Sequence, residues 1–169
     1  LEHAPFGLLP RVRVETLYLD AVEHGLGSHA WDLPPGASQQ SWEGSPAIPG
    51  RILALGGHLH RYGTRIRLED VTAGELLWEG APEYADDGSI AGMPRGQFLS
   101  RLGIPLDPAH IYRVTAFYEN PTGRTIPAGG MGTIAGVFKP DRGVEWPAAD
   151  PRDAFYRRDL RAVVGGDGR

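Results

Sequence analysis

Glycine and proline interrupt every apolar run of this chain before it reaches helical length. There are 24 Gly and 15 Pro among 169 residues, too frequent a punctuation for a helical bundle. Short strands joined by turns are what it leaves room for. Within that constraint, "RVRVETLYL" (11–19) alternates and ends in β-formers. "GRILALGGHLH" (50–60) is apolar on both faces in its first half, the pattern of a central strand covered on both sides. "TRIRLEDV", the turn "TAGE" and "LLWEG" read as a hairpin, "IYRVTAFYEN" (111–120) as a strand stopped by "NPTG", and "MGTIAGVF" as the last strand.

The stretch from Val22 to Gly44 reads as irregular, with room for a short strand at "SHAWDL", and "APEYADDGSIAGMPRGQ" reads as a loop. Asp150 as N-cap and Pro151 in the first helical position predict a short C-terminal helix, and "GGDGR" predicts a frayed tail within 150–169. The expectation is one domain over 1–169: an antiparallel β-sandwich of jelly-roll type with about eight strands.

Composition removes several functions. A net charge of -4 with no basic stripe argues against a nucleic-acid partner. The absence of Cys rules out disulfides, thiolate metal sites and cysteine nucleophiles. No run approaches membrane-spanning length, so membrane insertion is not expected. A chain opening "LEHAPFGLLP" without Met reads as the processed end of an exported protein or as a trimmed end. No serine has a nucleophile-elbow context, and "GRTIPAGGMG" lacks the Lys-Ser/Thr of a phosphate-binding loop.

What remains is "HLH". Residues two apart on a strand face the same way, so His58 and His60 can converge on one ion at the end of a central strand. Gly56 and Gly57 just before them would make a bend there cheap. Neutral imidazole suits copper, zinc, iron and nickel alike. Met131, set among glycines in "PAGGMGTIAGVF", is a candidate third ligand. Its soft thioether favours copper, Cu(I) above all, over zinc, which stays as the alternative. His29 and His110 are further candidates for the third position. Each of these residues also has an ordinary reading, as a polar outer face for the histidines and as core filling for the methionine.

The pattern "HLHRYG", with "DLPPG" upstream and "FYENPTG" and "IPAGGMG" downstream, resembles the copper type II, ascorbate-dependent monooxygenases. These include the peptidylglycine alpha-hydroxylating and dopamine beta-monooxygenases. The likeness is to their second domain, which carries the substrate-side, oxygen-binding copper, and it spans roughly residues 28 to 138. It implies one copper on His58 and His60 with Met131 as the methionine ligand, dioxygen activated beside a C–H bond, a small-molecule or peptide substrate, and a secreted or periplasmic setting. The chain departs from that family in three ways. The family's methionine falls where this chain has Gly136, its disulfides have no counterpart, and its first, electron-supplying copper domain has no room here. Electrons would therefore come from an external donor. A non-catalytic copper carrier or sensor, and a metal-free assembly module, are the alternatives; the oligomeric state is left open.

Overall fold

A computed structural model describes residues 13–23, 29–99 and 102–164. Among them are twelve strands: β1 (Glu15–Asp20), β2 (Ala30–Leu33), β3 (Gly36–Gly44), β4 (Gly50–Leu59), β5 (Gly63–Asp70), β6 (Glu75–Gly80), β7 (Glu83–Tyr84), β8 (Ile90–Gly92), β9 (Arg95–Gln97), β10 (Ile104–Leu106), β11 (Tyr112–Asn120) and β12 (Ile126–Pro140). One helix, α1 (Ala154–Val164), follows.

Eight strands carry the architecture. One sheet runs β1-β12-β4-β10, with β2 and β9 added at its margins, and the other runs β3-β11-β5-β6. All pairings are antiparallel. Counted in chain order, the first sheet is the first, eighth, third and sixth of these strands. The second is the second, seventh, fourth and fifth, which is the order of a jelly roll.

One core joins the sheets. Ile52, Leu55, Leu59, Ile134 and Phe138 come from the first, and Ile66, Leu68, Val114, Ala116 and Tyr118 from the second. The two-sided pattern of β4 has a physical cause. Leu53 is a bulge, since the β4–β12 register steps from Ala54–Val137 to Ile52–Phe138, so the inward positions change parity along the strand. Beyond the bulge, Leu55, Gly57 and Leu59 face the core while Ala54, Gly56 and His58 face out. No helix among the described residues is long and apolar enough to cross a membrane.

Several expectations needed correction. Residues 36–44 form a nine-residue strand paired with β11 along its whole length, although their sequence is polar. The stretch read as a loop contains the small β7–β8 hairpin and β9, which pairs with β4. The helix cap is Asp153, whose carboxylate accepts the Tyr156 N–H at 2.8 Å, and not Asp150. Asp150 instead accepts the Arg152 N–H, which places Pro151 in the turn before the helix. The tail "GGDGR" lies outside the described residues.

Candidate functional site

His58 is the penultimate residue of β4 and His60 follows the strand's end. Their rings meet edge to face, with centroids 5.5 Å apart and planes at 85°. With metal–nitrogen bonds of about 2.0–2.1 Å, an ion bonded to one nitrogen of each ring would lie roughly 3.2 Å from each centroid. The observed separation therefore meets the length requirement for a shared ion. His58 is exposed and His60 half-buried. Desolvation of the His58 ring, then the neighbouring His60 charge, hold its pKa below the usual 6.5. That favours the neutral imidazole, the form that ligates.

Of the two glycines before the pair, Gly57 is required by packing, whereas a Cβ on Gly56 would meet only ordinary contacts. A Cβ on Gly57 would come within 2.8 Å of the Ile66 side chain and 2.9 Å of Met93, with Trp78 close behind. Neither Gly56 nor Gly57 has a positive φ.

Met131 lies on β12, where the ladder to β4 ends with the Leu59–Gly132 pair. It pairs with Ala30 of β2 on its other side and is half-buried. Between His60 and Met131 stands a residue whose sequence context predicts only a place in a strand. Tyr118 reaches across from β11, 2% exposed. Its hydroxyl accepts the His60 N–H at 3.0 Å and the Met131 N–H at 2.9 Å, and donates to the Met131 carbonyl. Burial raises its pKa, so the donated proton stays in place. The signal was in the alternation: Val114, Ala116 and Tyr118 share the core face, and a hydroxyl there must find a partner.

The other two candidates are placed elsewhere. His29 sits across β12 from His58, its Nδ1 2.7 Å from Asp20 Oδ2. Asp20 Oδ1 accepts from Thr133, the residue paired with His58, at 2.6 Å. His110 is at the opposite end of the sandwich, 2.7 Å from Asp70 Oδ2 and stacked on Tyr112. It cannot reach the pair. Among the described residues, no group of three or more His, Asp or Glu side chains is arranged to hold a metal.

The stretches "DLPPG", "FYENPTG" and "IPAGGMG", scattered in sequence, meet beside His60. Asn120, 1% exposed, donates to the carbonyls of Leu33, Pro34 and Arg124. Asp32 accepts the Ala128 N–H at 2.9 Å. The Trp31 ring occupies the space a Gly130 Cβ would fill and meets Tyr118 edge-on at 5.7 Å. A cavity of about 460 Å³ opens there, lined by His60, Arg61, Arg124 and Ile126 together with Tyr62 and Ala128. The last two hold positive φ values of 71° and 50°, backbone strain of the kind that collects at functional sites. A second cavity of about 330 Å³ lies between the sheets, lined by Leu17, Trp42, Leu68, Val114, Phe138 and Trp146 among others, and no histidine among the described residues borders it.

No protein-family model and no curated protein matches this chain. Among solved structures, a chain in the structure of the infectious bursal disease virus Gx strain aligns with 96% of this chain at 14% identity. The alignment spans 53% of the viral chain, about half its length, with a TM-score of 0.24, too low to bear on fold or function.

Proposed function

We propose that this chain is a copper-binding β-sandwich domain holding one ion through His58 and His60, with the Met131 thioether as third donor. The observation that carries the reading is the ring pair itself: two imidazoles 5.5 Å apart at an open strand end, the more exposed one biased toward its neutral form. The donor set suits copper, because two imidazoles and a thioether are softer than the oxygen-bearing sets that magnesium or calcium take.

Copper bound there would supply one-electron chemistry with dioxygen, its electrons coming from an external donor in an extracytoplasmic setting. The chain's own part is to hold and orient. His60 is fixed through its backbone by Tyr118, and the adjoining cavity, with Arg61 and Arg124 in its wall, offers room for a small-molecule or peptide substrate. A carrier role is the second reading. It is favoured by the exposure of His58, which leaves a bound ion open to a partner's ligand.

The test is elemental analysis and anaerobic Cu(I) titration of the purified protein. About one copper per chain is expected, and none for the variant carrying both His58→Ala and His60→Ala. Met131→Ile keeps the side chain's approximate volume and apolarity and removes the sulfur, while introducing a β-branched shape. It should weaken Cu(I) at least tenfold, or about 1.4 kcal/mol. Stoichiometric uptake by the double variant would sink the assignment, and zinc alone in the wild type would turn it toward a zinc site. Cu(I) binding without oxygen consumption would select the carrier.

A further inference from the structure

We infer that Tyr118 is a positioning residue for this site: its hydroxyl is a wedge that ends the β4–β12 ladder and sets the gap between His60 and Met131. The inference rests on the copper reading for its consequence, though not for its geometry.

A phenol has one proton to donate and room for two hydrogen bonds to accept. All three positions are taken, by the His60 N–H, the Met131 N–H and the Met131 carbonyl. One step earlier, at Leu59–Gly132, the two strands are paired directly. At His60 and Met131 the next rung is replaced by a single oxygen belonging to the opposite sheet. The strands are thereby held apart where the candidate ligands emerge, and the backbone groups that the missing rung would have left bare are satisfied. The wedge is itself fixed. Tyr118 is buried and lies edge-on to Trp31, which Gly130 admits by lacking a side chain. Nothing in the pattern H-x-H with a distant methionine requires such a residue. It follows from this chain's packing, in which the ladder stops at Leu59–Gly132 and the Tyr118 hydroxyl spaces the next two residues, His60 and Met131.

The test compares Tyr118→Phe with Tyr112→Phe. Tyr112 is also buried, and its hydroxyl accepts the Asp107 N–H at 2.9 Å at the far end of the sandwich. Both changes delete one hydroxyl from the core, so a general loss of stability moves both. We expect Tyr118→Phe alone to lower Cu(I) affinity at least tenfold and to remove the copper–sulfur signal in X-ray absorption. Equal losses in the two variants, or none in either, would overturn the inference.

If the wild type takes up no copper, the copper reading fails and the wedge is judged by amide exchange in the metal-free protein. The same measurement on the wild type serves if Tyr118→Phe does not fold. His60 and Met131 amides should exchange as slowly as those of the neighbouring ladder. Exchange at the rate of exposed amides would remove the wedge.

Discussion

His58 carries a residue-scale argument that can be checked without any metal. Its pKa is lowered first by desolvation and second by the charge of His60. A base whose folded pKa lies below its unfolded value binds fewer protons when folded. Stability therefore rises as pH climbs from the folded value to 6.5 and is fully restored above it. An NMR titration should put the His58 midpoint below 6.5, and His60→Ala should move it only part of the way back, since the larger cause remains. A midpoint at or above 6.5 would show that the ring is not desolvated, and the neutral-ligand argument would go with it. Spacing alone was enough to place the two histidines on one face, because strand periodicity is a property of the backbone. Two facts were out of its reach. Gly57 is glycine because Ile66, Met93 and Trp78 fill its side-chain space, and Tyr118 completes the end of the ladder. Both depend on residues far away in sequence.

Elements were legible to the extent that their burial was one-sided or complete. β4 and β11 carry core residues along most of their length, and their apolar patterns announced them. β3 is an edge strand of Ser, Gln and Gly held by its hydrogen bonds to β11, and backbone pairing leaves no mark on composition. β9 and β10 are three residues each, too short for a period. The far end of β5 and the start of β11 show what such ends need. Burial by itself would raise the Asp70 pKa, but the hydrogen bond from His110 and those from the Ala73 and Thr72 backbone outweigh it and bring the carboxyl below 3.8. The same hydrogen bond raises His110 above 6.5, against its own desolvation. The histidine's contribution to stability is complete below 6.5 and is lost as pH rises through its raised folded value. The aspartate's is complete above 3.8 and is lost as pH falls through its lowered folded value. The melting-temperature difference between wild type and His110→Gln should therefore be widest between 3.8 and 6.5 and shrink on either side. A difference that stays unchanged well below 3.8 and well above 6.5 would mean that the pair is not ionic.

At the scale of the whole molecule, the jelly roll separates these two regions. β5 runs from Gly63 beside the candidate site to Asp70 at the other end, about 23 Å at 3.3 Å per residue. Between them lies the single hydrophobic core to which both sheets contribute. Sites that far apart with no shared partner contribute additively, to within about 0.5 kcal/mol. A ligand that binds only the folded state stabilises the whole molecule, so copper should act globally while leaving the far end's own contribution unchanged. At a free Cu(I) concentration 100 times the dissociation constant, linkage supplies about 2.7 kcal/mol. At 2–4 °C per kcal/mol for a chain of this size, the melting temperature should rise by about 5–10 °C. The rise should be the same in His110→Gln, whose baseline is lower, and absent from the double His58→Ala, His60→Ala variant. A smaller rise in His110→Gln would reveal coupling through the core that the separation of the two ends argues against. A full rise in the double variant would place the ion somewhere other than the end of β4.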